Sequence, residues 1–285
     1  MTALHVAAEL AHTDIAALLL QAGANLEAQT AVKYTPLMCA AQQGHVNAME
    51  KLIAAGAAVD ATNAGGSTAL FVASMYNHPR AVKLLLKHGA NCNHRDQWMQ
   101  TALSFAAAPD IAAALCEAGA DVNALDDHDA SSLMAAAGQG HTDIVKLLLR
   151  KGADVRLKDC NGWTALHHCC REGHAAAARA LVAAGAPIEA PDQYEQTPLI
   201  IAAKYGKEEL VQLLVEAGAD VNAAEDRGNS VLHMAAGQGR ASMVQLLLRC
   251  GARVDRGAHI DDWQVAFLPA CLLLLVMHGP PAGVS

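Results

Sequence analysis

The chain has 285 residues, 53% of them hydrophobic but only 4% aromatic, and alanine alone supplies about a fifth. Its 20 Lys and Arg stand against 28 Asp and Glu, a net charge of −8. That balance argues against nucleic-acid binding, which needs a basic surface to displace counterions from phosphates. The ample apolar content excludes a disordered chain.

A period organises the sequence from its start. Thr or Ser, then a small residue or Pro, then Leu recurs at Thr2, Thr35, Thr68, Thr101, Ser131, Thr164, Thr197 and Ser230, with spacings of 33, 33, 33, 30, 33, 33 and 33. A Gly-Ala pair closes each unit, from Gly23-Ala24 to Gly251-Ala252. Each unit reads as two short helices and a turn. The hydroxyl residue caps the first helix, Pro36 and Pro198 suit its first position, and a glycine such as Gly152 takes the left-handed place after the second helix. About ten turn-rich residues between units, such as Asp159-Cys160-Asn161-Gly162, fit a β-turn or hairpin finger.

Three departures stand out in chain order. Met1 directly precedes the first Thr-Ala-Leu-His, without the hairpin that leads into later units, so the chain reads as part of something longer or as carrying an imperfect cap. The fourth unit is three residues short, with Ala107-Ala108-Pro109-Asp110 where its neighbours have a Gly-His turn; this predicts a shortened first helix and a local change in curvature. After Gly251 the pattern decays, and the apolar run Ala266–Met277 is about half the roughly 20 residues of a membrane-spanning helix.

The runs Thr164-Ala165-Leu166-His167, Gly173-His174 and Gly185-Ala186, with similar runs in the fifth, seventh and eighth units, resemble the ankyrin repeat. The resemblance covers residues 2 to 256 and implies an all-α ankyrin-repeat solenoid of stacked helix-turn-helix units with β-turn or hairpin fingers. Residues 1–256 are then the repeat domain, and 257–285 a degenerate ninth repeat or cap, or an out-of-pattern tail. The physics of stacking accounts for the composition: no unit buries its apolar face alone, so each packs on its neighbours. Alanine pairs such as Ala40-Ala41, Ala106-Ala107, Ala202-Ala203 and Ala235-Ala236 allow the close approach that would exclude rings.

Chemistry finds no constellation outside the motif. His167-His168-Cys169-Cys170 is the densest set of metal-ligand types, but the resemblance gives His167 a bond between loops, and Cys169 and Cys170 replace the paired alanines. His5, His167 and His233 are motif residues, and His12, His45, His78, His141 and His174 sit at the turn between helices. No nucleophile pairs with a recurrent His, and no phosphate loop or paired carboxylate is present. The expectation is a non-enzyme with no catalytic residue, metal or cofactor. No secretory signal pattern opens the chain, so its eight cysteines read as reduced thiols and the location as cytoplasmic, possibly nuclear.

In the resembling family, finger tips and late first-helix positions contact partners. Here the tips carry Val32, Trp98, His128, Asn161, Tyr194 and Arg227, and the finger bases Tyr34, Trp163 and Gln196. The helix positions carry Gln42, Gln43, Met75, Tyr76, Arg171, Lys204 and Tyr205. Six of the ten aromatic residues fall in this set, which marks Trp98, Tyr76, Tyr194 and Tyr205 as contact residues and leaves Trp163 and Tyr34 a structural role. The expected partner-binding set is Met75, Tyr76, Trp98, His128, Arg171, Tyr194, Lys204, Tyr205 and Arg227. An excess of finger acids points to a neutral or basic protein or peptide, with neither nucleic acid nor membrane as partner. The function implied is a protein-binding scaffold or adaptor, with the recognition module of a longer enzyme, channel or ubiquitin-ligase subunit as the alternative. The resemblance also makes Asn123 and Asn222 hydroxylation candidates, since an asparaginyl β-hydroxylase modifies the matching asparagine in this family.

Overall fold

The structure, a computed structural model, describes residues 1–254; the tail expected at 257–285 lies outside them. Among the described residues there are fifteen α-helices, one 3-10 turn and two isolated antiparallel bridges, Leu125 with Ser131 and Ala224 with Ser230. The chain divides into two compact units, Met1–Ala136 with His141–Asp159, and Ala137–Gly140 with the chain from Cys160 onward.

In the first unit, the first helices are α1 (Ala3–Glu9), α3 (Pro36–Gln43) and α5 (Ala69–Met75), followed by the 3-10 turn Ala102–Phe105; α8 (Ser132–Gly138) runs out of this unit. The second helices are α2 (Thr13–Gln21), α4 (Val46–Ala54), α6 (Pro79–Lys87), α7 (Pro109–Glu117) and α9 (Thr142–Arg150). In the first row α1 packs on α3, α3 on α5 and α5 on the 3-10 turn, and each second helix packs on the next second. The second unit repeats this with α10 (Ala165–Glu172), α12 (Pro198–Lys204) and α14 (Val231–Gly237) in one row and α11 (Ala175–Ala183), α13 (Glu208–Glu216) and α15 (Ala241–Arg249) in the other.

The caps follow the residue chemistry. Thr35, Thr68, Ser131, Thr197 and Ser230 accept from the third helical amide at 3.3 to 3.4 Å. Where that third residue is histidine, its Nδ1 also accepts from the backbone N–H of the cap, at 3.1 Å for Thr2 with His5 and for Thr164 with His167. Such a cap contributes about 1 kcal/mol. The turn histidines reach back to the preceding unit: His45 to Glu9 O (3.0 Å), His78 to Gln42 O (2.8 Å) and His174 to Gly138 O (3.1 Å). These carbonyls end a helix and have no intrahelical donor, so one imidazole per turn satisfies them and ties neighbouring units.

Ala40, Ala41, Ala202 and Ala203 are fully buried, and Leu52, Leu85, Leu115 and Leu148 fill the layer between rows. The expected pair Ala106-Ala107 departs from this: Ala106 is buried but Ala107 is exposed, because the first helix of the fourth repeat is a single 3-10 turn that ends at Phe105. The missing three residues have a further cost. In that turn the Ser104 amide bonds to the Thr101 carbonyl (3.1 Å) rather than to its hydroxyl. Thr101 Oγ1 is therefore buried without a partner, and the three other such side-chain atoms among the described residues, Ser74 Oγ, Asp96 Oδ2 and His141 Nδ1, belong to the short repeat or to the repeats and finger adjoining it. Buried polar atoms are normally paired, so uncompensated desolvation concentrates around the short repeat.

Candidate protein-binding surface

The fingers are tight turns closed by their own side chains, by the Thr30 hydroxyl in the first, the Asn63 amide in the second and an acid in several that follow. Asp96 Oδ1 accepts from Trp98 N and Gln100 N, both at 2.9 Å, and Asp126 does the same for His128 and Ala130. In the second unit Asp192 accepts from Tyr194 N and Gln196 N at 2.8 Å. The tips then hold one another through the backbone: Ala64 N to Val32 O (3.1 Å), Gln97 N to Gly65 O (3.0 Å) and Asp127 N to Trp98 O (3.1 Å) in the first unit, and Gln193 N to Asn161 O and Asp226 N to Tyr194 O, both 3.1 Å, in the second. At Lys33, Met99, Asp129 and Glu195 a non-glycine residue stands at φ of 58° to 60° beside the tip. That left-handed backbone costs about 1 kcal/mol or more for an ordinary side chain.

This architecture turns side chains outward at the expected places. In the first unit Val32, Trp98 and His128 on the tips and Met75 and Tyr76 at the end of α5 are exposed. Trp98 leans over the previous finger, where a Cβ on Gly65 would stand 3.9 Å from its ring edge. Beside Tyr76 lies the half-buried Tyr34, whose phenol is pushed up from its ordinary pKa first by burial and then by the Tyr76 phenol. In the second unit Asn161, Tyr194, Tyr205 and Arg227 are exposed.

Arg171 and Lys204 are held within the chain. The Arg171 guanidinium lies 5.2 Å from the centre of the Trp163 ring and pairs with Glu172. Trp163 Nε1 in turn donates to Asp192 Oδ2 at 3.0 Å, and the ring stacks on His167 and meets His168 edge-on. Trp163 thus folds back on its own repeat and prepares Arg171, a cation–π contact that sequence spacing did not suggest. Lys204 Nζ reaches Gln196 Oε1 (3.3 Å), whose amide donates to the buried Glu225 (2.8 Å).

The acid excess largely disappears from the surface. Asp96, Asp192 and Glu225 are buried and bonded within their fingers, and Asp126 serves its own turn, leaving Asp127, Asp129, Glu195 and Asp226 exposed. A count of finger acids therefore overstates the negative charge a partner meets. Asp126, Asp127 and His128 form the one grouping of possible metal ligands among the described residues, at an exposed tip, and sequence reasoning missed it by weighting His and Cys. One oxygen of each carboxylate is already engaged: Asp127 Oδ1 meets His128 Nδ1 at 2.8 Å and Asp126 Oδ1 accepts from two amides of its own turn. Cys169 and Cys170 are both buried, and burial pushes the Cys169 thiol up to about 12.

Asn123 has a structural task. Its Oδ1 accepts from Asp154 N (2.8 Å) in the next repeat, and its Nδ2 donates to Gly152 O (3.2 Å). Asn222 Oδ1 likewise accepts from Arg253 N (2.8 Å). Glu27 and Asp60 play the same part with Ala58 and Asn91, so this side chain is a clamp between consecutive repeats.

Among curated proteins, none matches the chain. The family model for ankyrin repeats in three copies matches residues 1–63, 37–126, 108–192, 133–225 and 188–258. Together with the stacked helix pairs and the linked fingers, this shows that the chain belongs to the ankyrin repeat family.

Proposed function

We propose that this protein is a scaffold or adaptor that binds partner proteins or peptides through its finger tips and the ends of its first helices. Ankyrin repeats are generally protein–protein interaction modules, and the family is typically non-catalytic. The observation that carries the reading is the exposure of Tyr76, Trp98, Tyr194 and Tyr205 in a chain with few aromatic residues, whose core, apart from Phe71, is built mostly of small and aliphatic side chains. Large rigid aromatics at exposed positions are the side chains that become anchors when a partner desolvates them. Because tip backbones are tied to one another, no ordering cost falls on the fingers when the partner arrives. Opposite Met75, Tyr76 and Trp98 the partner surface is neutral in character, and the finger acids that stay exposed, Asp127, Asp129, Glu195 and Asp226, suit a neutral to basic partner. No helix among the described residues is long and apolar enough to cross a membrane, and we place the work in the cytoplasm or nucleus.

The test is a double replacement, Trp98→Ala with Tyr194→Ala. Affinity for a captured partner falls more than about tenfold while far-UV circular dichroism is unchanged, in keeping with two lost anchors of about 2 kcal/mol each. Full retention of the partner by that variant would refute the assignment.

A further inference from the structure

The residue just before each second helix changes character along the array. His45, His78 and His174 stand at this place, each imidazole tied to a helix-end carbonyl of the preceding repeat. In the seventh and eighth repeats the same place holds Lys207 and Arg240. Their side chains lie back over the preceding turn: Lys207 Nζ would stand 3.2 Å from a Cβ on Gly173, at the end of α10, and the Arg240 guanidinium covers Gly206, at the end of α12. The carbonyl that a histidine in place of Arg240 would take is Lys204 O, and Gln238 Nε2 already donates to it. Lys207 and Arg240 make no side-chain hydrogen bond or ion pair among the described residues. They join two cations already set in position. Arg171 lies on the Trp163 ring with its Nε committed to Glu172 and other guanidinium N–H groups to spare, and Lys204 spends one ammonium hydrogen on Gln196. Nearby acids are turned aside: Glu172 is taken by Arg171, while Glu208 and Glu209 face along the second-helix row, to Ser242 in α15 and Arg179 in α11. Cations therefore gather at the ends of the first helices and anions along the second helices, within a chain that is acidic as a whole.

We propose that Arg171, Lys204, Lys207 and Arg240 form a docking row for an acidic segment of a partner protein, whose Asp and Glu carboxylates meet these cations. The proposal rests on the binding role given above and names the charge of the segment that the second unit takes. Carboxylates suit the row because a guanidinium pairs with them through parallel N–H donors, and Trp163 already orients that of Arg171. The exposed acids Glu195 and Asp226 lie at the finger tips of the same unit, so its surface is basic at the helix ends and acidic at the tips. Such an arrangement repels a segment laid the wrong way round and fixes its register. A partner that is neutral to basic elsewhere fits both edges.

The probe is a fluorescein-labelled oligoglutamate peptide, with oligoglutamine of the same length as its uncharged match, followed by fluorescence anisotropy on the whole chain. Oligoglutamate is expected to bind and oligoglutamine not, and binding weakens as salt rises. Lys207→Gln with Arg240→Gln lowers the affinity about fivefold or more, as two lost exposed charge contacts should. Neither side chain makes an internal bond, so the variant folds, and circular dichroism checks this. Lys83→Gln with Lys87→Gln, two exposed cations of α6, makes the same change in net charge and leaves binding intact. No binding of oligoglutamate, full binding by the Lys207 and Arg240 variant, or an equal loss in the α6 variant would overturn the proposal. Tighter binding of oligouridylate than of oligoglutamate would give the row to phosphates and overturn it as well. The variant with Trp98→Ala and Tyr194→Ala is expected to keep oligoglutamate, so a failure of the aromatic anchors and a failure of the cation row are told apart.

Discussion

Replacing Thr101 and Thr68 by valine separates two threonines that occupy the same place in neighbouring repeats. Both are buried, at 3% and 1% exposure. Thr68 Oγ1 accepts from Phe71 N at 3.3 Å, so valine there leaves a buried amide unpaired and costs about 1 kcal/mol, within the usual range for losing such a cap. Thr101 Oγ1 accepts nothing, and the Ser104 amide is already bonded to the Thr101 carbonyl. Valine there removes a hydroxyl whose desolvation is uncompensated, a penalty of about 1 to 3 kcal/mol, and adds a methyl in contact with the core. Thr101→Val is therefore neutral or more stable by about 1 kcal/mol, and the two variants differ by roughly 1 to 2 kcal/mol. Urea unfolding reads this as midpoint shifts at constant slope. A loss at Thr101 equal to that at Thr68 would show that the hydroxyl is engaged and that the truncated helix does not orphan it.

Four further outcomes can be checked. Gly66→Ala destabilises more than Gly23→Ala in thermal melts, because both have φ near 80° but a Cβ at Gly66 would meet Gln97 N at 3.0 Å while at Gly23 nothing lies within 4 Å. The C-terminal helices α14 and α15 lose stability in acid: burial lowers the His233 pKa, and its Nδ1 must stay unprotonated to accept from Ser230. That contribution is present above the ordinary histidine range and is lost as pH falls through the lowered pKa of the folded state, a trend that exchange measurements would show and His233→Gln would flatten. Native-state thiol labelling at pH 8 modifies exposed Cys160 before Cys39, Cys169 and Cys170, whose thiols are buried and pushed up; equal rates by peptide mapping would refute this. We also expect a mass gain of one oxygen on Asn123 or Asn222 in cells with active asparaginyl β-hydroxylase, since a hydroxyl on Cβ leaves the clamping amide atoms of Asn123 in place; unmodified peptides would exclude it.

The repeat starts, the caps and the exposed rings were legible in the sequence because each depends on one residue type at one spacing. Thr35, Pro36 and Gly152 do their work locally, so position along the chain is enough. The inward turn of Asp96 and Asp192 was only partly legible: that they close turns is a local rule, but that their fingers bury them depends on the next repeat. Arg171 over Trp163 was not legible at all, since the contact needs two rotamers chosen by packing against His167 and His168.

Side chains join the bases of neighbouring fingers, as Trp163 joins Asp192, but at the tips the bonds run from backbone to backbone, as from Gln97 N to Gly65 O and from Asp226 N to Tyr194 O. No side chain at those tips is needed for the join. Recognition chemistry and folding chemistry are thereby written in different atoms, so the tips can be rewritten one repeat at a time, for a new partner, without renegotiating the fold beneath them.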